Sequence, residues 1–215
     1  MFIAPAFDLN LLKYINQDAR CTLLDVLMPF ASKPELATIV LVAALIFFLV
    51  RRKVRPAVYI LWMALSLTAV DAGTHVVKDA FHRVRPLNSI PGAMYYEDSE
   101  WRRLPQDFVQ TKERGSSYFS AHAANSMCLA VMALCFWRRL NPWILLLPLI
   151  VGYSRVYLAK HFPTDVLAGW AFGAVAGWGL SFVFFLGSRR LTALRAPAAV
   201  QGQPQKAGDQ EQRNA

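Results

Sequence analysis

The chain contains only three cysteines. Cys128 and Cys135 fall within one apolar run, and Cys21 lies far from both. No disulfide framework emerges, and no Cys/His set has the spacing of a zinc site. Carboxylates are also sparse, 14 against 23 lysines and arginines, and none cluster in a way that suits Mg²⁺. Residues 1–12 lack a basic region followed by an apolar core, so no cleavable signal peptide is expected. No internal repeat is visible. These absences turn attention to membranes and to side-chain cations.

Apolar residues are abundant. Hydrophobic residues make up 55% of the 215, and they come in blocks. That pattern predicts an all-α polytopic membrane bundle of about five transmembrane helices. The net charge of +9 sits mainly at the ends of apolar runs. There it sets orientation and meets lipid head groups, so membrane lipids rather than nucleic acid are the expected partners.

Residues 7–30 read as an amphipathic helix lying on the membrane surface or against the bundle. Leu12, Ile15, Ala19, Leu23 and Leu27 recur at helical spacing, and charged residues interrupt any continuous apolar run. The predicted organisation is an interfacial helix over 1–33, a bundle over 34–187 and a disordered cytoplasmic tail over 188–215. The first span centres on 36–50, with a start near Met28 expected. The second runs over 57–81, the third over 120–137, the fourth over 143–158 and the fifth over 166–186. The polar stretch 87–118 is a long loop, either a lid or disordered, with Tyr95, Tyr96 and Trp101 expected at head-group level. Arg51 to Arg55, Arg138 with Arg139, and Arg189 with Arg190 all fall on one side of five spans. That side is predicted to be cytoplasmic.

The most informative stretch is Ser154-Arg155-Val156-Tyr157-Leu158-Ala159-Lys160-His161-Phe162-Pro163-Thr164-Asp165. Arg155 suits anion binding through its planar fork of donors. His161 is a base or nucleophile near neutral pH. Asp165, one helical turn on, can accept the proton of one ring nitrogen and leave the other free. Farther upstream, Asp71, His75, Lys78, His82 and Arg85 share one helix face. Lys78 and Arg85 are functional candidates there. An Asp71–His75 pair reads instead as a tie between helices, and His82 as a helix-face polar residue. Arg83 and Lys160 read as lipid or solvent contacts, and Asn125 and Ser126 as hydrogen bonds inside the bundle.

Three segments together carry a resemblance. They are Lys78 to Pro86, Tyr118 to Asn125, and Ser154 to Asp165. In order and spacing they resemble the signature motifs of the type-2 phosphatidic-acid phosphatase superfamily, which includes membrane lipid phosphatases and, more distantly, vanadium haloperoxidases. The first motif, Lys, six residues, Arg-Pro, is complete. So is the third, Ser-Arg, five residues, His, three residues, Asp. The second, Pro-Ser-Gly-His, departs twice: Phe119 stands for Pro and Ala121 for Gly. The resemblance covers roughly 71–186.

The resemblance implies a role for each residue. Lys78, Arg85 and Arg155 hold the phosphoryl oxygens, helped by Ser120 and the backbone N–H of Ala121. His161 attacks phosphorus to give a phosphohistidine. Asp165 orients His161. His122 protonates the leaving oxygen and then activates water. No cofactor or metal is implied, since three fixed cations and two helix amino ends supply the charge that phosphoryl transfer needs. The implied substrate is a lipid phosphate or diphosphate, undecaprenyl diphosphate first, then phosphatidylglycerol phosphate, phosphatidic acid or lipid A phosphates. A bacterial inner membrane with the site at its outer face is the expected location. A non-catalytic anion-binding transporter is the rival from another class; the His161–Asp165 pair beside Arg155 argues against it. A vanadate haloperoxidase is the other rival, and the many spans argue against that.

Overall fold

Long apolar runs, ended by arginines or prolines, become the helices of the computed structural model, which describes residues 4–195. Helices α1 (Ala6–Lys13) and α2 (Thr22–Ala31) precede α3 (Glu35–Val50) and α4 (Val54–Phe81). A hairpin of β1 (Met94–Glu97) and β2 (Glu100–Arg103) follows, then α5 (Ala121–Phe136), α6 (Leu146–Tyr157) and α7 (Pro163–Arg195). Two units are distinguishable, meeting in sequence at Phe182 and Val183. The first holds all that follows. Among the described residues the second consists of the last turns of α7. Helix α7 continues past Ser188 to Arg195, where the sequence reading expected the tail. The rest of that tail, 196–215, lies outside the described residues.

Among the described residues, two helices are long and apolar enough to cross a membrane, Val54–Asn88 and Pro163–Arg190. The pair Thr22–Ala31 and Glu35–Val50, bent by 60°, counts as a third if taken as one broken span. Ala121–Phe136 and Pro142–Tyr157 are shorter apolar helices. Val40, Leu49, Leu65, Val76, Leu147 and Val175 are exposed. A water-soluble domain would bury such residues, whereas hydrocarbon solvates them at no cost.

Residues 7–30 differ from the single interfacial helix expected. The chain breaks between Asp18 and Thr22, and both pieces dock. Leu12 joins a core cluster with Ile90, Ala93, Ala123, Val156, Phe162 and Val166. Asp8 and Asn16 are fully buried. The long loop is neither all-irregular nor loose. A two-residue turn at Asp98 and Ser99, both at positive φ, closes the β1–β2 hairpin with Tyr96 opposite Trp101. Trp101 donates to the Asp25 carbonyl at 3.3 Å, and its ring meets Tyr157 edge-on. The aromatics expected at head-group level thus help fix the loop to α2 and α6.

What brings the motifs together is a stripe of small residues on α7. A Cβ on Gly169, Gly173 or Gly177 would lie 2.6, 2.1 or 2.7 Å from the carbonyl oxygens of Ser120, Ala124 and Cys128. Only glycine permits this approach of two helix backbones. The contact aligns the amino ends of α5 and α7, and the Ser120 N–H donates to the Asp165 carbonyl at 3.0 Å. Within the span, Asp71 accepts from Asn125 Nδ2 at 2.8 Å, while His75 is exposed. The tie between helices therefore runs from Asp71 to Asn125, in place of the Asp71–His75 pair. Ser126 bonds back to the His122 carbonyl at 2.8 Å.

Candidate active site

The third motif begins where α6 ends. Ala159 takes a left-handed φ of 53°, and the N–H groups of Ala159 and Lys160 close onto the carbonyls of Val156 and Arg155 at 2.9 and 3.0 Å. This is a helix C-terminal turn that usually employs glycine. It reverses the chain, and Pro163 then opens α7. His161 lies between the two helices and is 2% exposed.

His161 Nδ1 lies 2.8 Å from the Ser117 carbonyl oxygen and 3.8 Å from Asp165 Oδ2. A carbonyl only accepts, so Nδ1 carries the proton and Nε2 keeps its lone pair. Asp165, expected to accept that proton, instead stands one step away as a charge. Its Oδ2 accepts from the Ser117 hydroxyl at 2.6 Å and from the Phe162 N–H at 2.9 Å. Its Oδ1 accepts from Arg83 at 2.5 Å. Burial pushes the His161 imidazolium down to a pKa of about 4; Asp165 opposes the shift, and Arg155 and Arg85 add to it. The ring is therefore neutral and nucleophilic across the neutral range.

The remaining motif residues converge on the same place. His122 lies within electrostatic reach of Arg155, His161, Lys160 and Lys78. Lys78 senses Arg85 and Arg155, and Arg85 senses Asp165. Arg155 is buried, and one of its terminal nitrogens donates to the Ser32 hydroxyl at the end of α2. Arg85 reaches Ser116 Oγ at 3.4 Å. Among the described residues, His122 Nε2, Arg85 Nε and Arg155 Nε of the three motifs are buried without a hydrogen-bond partner. Lys160 is partly buried, and burial, followed by Arg155 and Arg85, lowers its ammonium pKa. It sits among the site cations, where the sequence reading had a lipid or solvent contact.

Ser120 caps α5: its Oγ faces the Ala123 N–H at 3.5 Å. Ala121 is the first helical residue and does not appear among the positive-φ positions. The freedom that glycine would bring there is not used. Phe119 is buried against Phe172, ring centroids 4.8 Å apart.

Four contributors were missed from sequence. Arg83 is 8% exposed and bridges Asp8 and Asp165, with its guanidinium 4.2 Å from the Phe162 ring centroid. It is an internal cation and not the surface contact expected. Ser117 supplies both its carbonyl and its hydroxyl to the His161–Asp165 pair. Gly115 makes that possible, since a Cβ there would lie 2.6 Å from the Arg83 carbonyl. The Ser117 N–H then pairs with that carbonyl at 2.8 Å. The fourth, Asp8, comes from α1. Its spacing was readable, four residues before Leu12 on the apolar face. A carboxylate at a core position of an amphipathic helix signals a buried partner.

Comparison with known proteins bears on the family and the fold. The family model described as the PAP2 superfamily matches residues 59–189. An undecaprenyl-diphosphatase of Sulfolobus acidocaldarius is 30% identical over 174 residues, 78% of this chain and 74% of that protein. A lipid A 4′-phosphatase of Bacteroides thetaiotaomicron is 37% identical over 81 residues, 37% of this chain. The chain spans only 34% of the length of that relative. The crystal structure of Aquifex aeolicus LpxE superposes with a TM-score of 0.61 at 22% identity, over 84% of this chain and 98% of that one. At that identity the likeness concerns the fold.

Proposed function

The chain belongs to the PAP2 superfamily, a membrane-associated phosphatase of that family, and from this premise we propose that it hydrolyses a lipid phosphate or diphosphate through a phosphohistidine. The observation that carries the proposal is the state of His161. Its Nδ1 is tied to Ser117, its Nε2 is left with a lone pair, and the Arg155 and Arg85 cations stand within electrostatic reach of it. An anion-binding transporter needs the cations and has no use for the nucleophile.

In this mechanism Lys78, Arg85 and Arg155 neutralise the phosphoryl oxygens, with the Ala121 N–H at the amino end of α5. His161 Nε2 attacks phosphorus, and Asp165 stabilises the ring as it becomes cationic. His122 gives a proton to the leaving oxygen and then takes one from water as the phosphohistidine breaks. Its unpartnered Nε2 supports this role. The protein cations do the work that a metal does in other phosphatases, so the reaction is metal-independent.

Undecaprenyl diphosphate is the first choice of substrate, supported by the relative in Sulfolobus acidocaldarius. Lipid A phosphates have a relative in their favour too; phosphatidylglycerol phosphate and phosphatidic acid follow. With five spans, the basic clusters at Arg51–Arg55, Arg138–Arg139 and Arg189–Arg190 would fall on the cytoplasmic side of a bacterial inner membrane, and the site at its outer face. The test is release of inorganic phosphate by purified protein from a panel of these four lipids, with and without EDTA. Turnover that survives EDTA and is inhibited by vanadate is expected. No release from any of the four overturns the reading, and loss in EDTA restored by Mg²⁺ overturns its metal independence.

A further inference from the structure

We propose that Asp8, on the first helix, is a positioning residue for the nucleophile, acting through Arg83. The inference rests on the phosphohistidine reading above. Asp8 lies outside the region matched by the family model, which begins at residue 59.

The geometry is a buried triad of alternating charge. Arg83 is the only cation in it. One of its terminal nitrogens serves Asp165 at 2.5 Å and the Thr164 hydroxyl at 2.8 Å. The other serves Asp8 at 2.5 Å. Both carboxylates are fully buried. Asp8 also accepts from the Thr164 N–H at 2.9 Å and the Thr164 hydroxyl at 2.6 Å. It therefore caps the amino end of α7 from another helix, satisfying one of the donors that a helix start leaves open.

Two consequences follow for His161. Position is one. Asp165 is the third residue of α7, so fixing Thr164 and Arg83 fixes the carboxylate that faces the ring. Charge is the other. With Asp8 taking part of the guanidinium charge, Asp165 keeps a net negative field at His161. That field stabilises the cationic ring formed on attack. Without the Asp8 charge, Arg83 is balanced by Asp165 alone, and the field at the ring weakens. Docking of the segment as such is a separate matter: Asn16 anchors it to the Met94 and Tyr157 carbonyls, each at 2.6 Å, away from the triad.

The experiment uses the full chain in detergent and whichever of the four lipids the wild type turns over fastest. Steady-state kinetics, rapid-quench phosphoenzyme formation and melting temperature are measured for Asp8→Asn, Arg83→Lys, their double variant and Asn16→Ala. Asp8→Asn is expected to lower kcat and phosphoenzyme formation together by roughly 10- to 100-fold, with KM within about 3-fold, as for an interaction that matters only in the transition state. Arg83→Lys, a point charge unable to bridge two carboxylates with a planar fork, should behave alike. The double variant should be no worse than about 3-fold below the weaker single, because the two residues act as one unit. Asn16→Ala should lower the melting temperature and keep kcat within about 3-fold. The proposal is overturned by Asp8→Asn with unchanged kcat, by a change confined to KM, or by losses that multiply in the double variant. Failure of both single variants to fold would make the triad a folding element and overturn it as well. Failure of the functional reading is seen separately, as a wild type that releases no phosphate.

Discussion

His161 and His122 lie in one cluster of cations and differ in everything that holds them. His161 is 2% exposed, bonded through Nδ1 to Ser117 and backed by Asp165, Arg83 and Asp8. The groups that back it, Ser117, Asp165 and Asp8, are all hydrogen-bonded within the protein. His122 is partly buried at the first turn of α5 and has a buried Nε2 with no partner; Arg85 Nε and Arg155 Nε are in the same state. Unpaired buried polar atoms cost free energy, so a fold retains them where a ligand satisfies them. One side of the site is finished by the protein, and in the mechanism proposed the other is completed by the substrate. A nucleophile needs one fixed tautomer and one fixed direction. A group that donates and then accepts a proton works through partners that change during the reaction.

The sharpest test of that contrast removes each ring in turn. His161→Ala loses the proposed nucleophile, so turnover should fall by at least about 10⁴-fold on every substrate. No acid-labile phosphate should be trapped. His122→Ala loses proton transfer, which is worth roughly 10²- to 10⁴-fold for a poor leaving group and less for an acidic one. The loss should be severe on an alkyl phosphate, smaller in the first step on an aryl phosphate and intermediate on a diphosphate. Phosphoenzyme should accumulate with the aryl substrate. Rapid-quench product release with labelled-phosphate trapping reads both variants. Equal losses for His122→Ala on all leaving groups would erase the distinction between the two sides.

The next test attacks the scaffold common to both sides. Gly173→Ala puts a methyl 2.1 Å from the Ala124 carbonyl, in a contact between two backbones that has no flexible side chain to yield. Overpacking of this kind costs about 1–3 kcal/mol. Parting α5 from α7 also moves His122 away from His161. A lowered melting temperature together with reduced turnover is expected. An unchanged melting temperature would mean that the helices meet elsewhere.

The sequence showed one side of the site better than the other. Lys78, Arg85, His122, Arg155, His161 and Asp165 are chemically conspicuous in an apolar chain, and the structure brings all six into one electrostatically connected cluster. The residues that finish the nucleophile side were harder to see. Ser117 acts largely through its backbone carbonyl, which no residue type announces. Arg83 and Asp8 look like surface charges until a third element buries them, and they lie 75 residues apart. Helix content was legible from the apolar runs. The break between α1 and α2 and the β1–β2 hairpin were not, because tertiary contacts to Tyr157 and Met94 decide both. The glycine spacing on α7 was in plain view and went unused.

A smaller effect concerns pH. His161 has a folded pKa of about 4 against about 6.5 unfolded. Between those values the unfolded chain binds the additional proton, so stability from the neutral ring is complete above pH 6.5 and is lost as pH falls toward 4. The melting-temperature gap between wild type and His161→Ala should therefore narrow from pH 7 to pH 4. A gap that is flat with pH would show that burial does not hold the His161 ring neutral.

The smallest expected effect is the most informative about the unfinished side. Ala121 stands where the family motif has glycine, and the substitution looks damaging on paper. Glycine earns its place where φ is positive or where backbones crowd. Neither holds here: Ala121 is the first residue of α5, capped by Ser120, with a helical φ. Its N–H is available for an anion whether or not a Cβ is present. Alanine also favours the helix, by up to about 1 kcal/mol over glycine in a helix interior and by less at its first turn. Ala121→Gly should therefore leave kcat and KM within about twofold and lower the melting temperature by a degree or two. A tenfold gain in kcat would mean that the catalytic conformation of this turn departs from the helix. The substrate-facing side would then be rearranged by its ligand, and the contrast between the two histidines would become one of motion as well as of bonding.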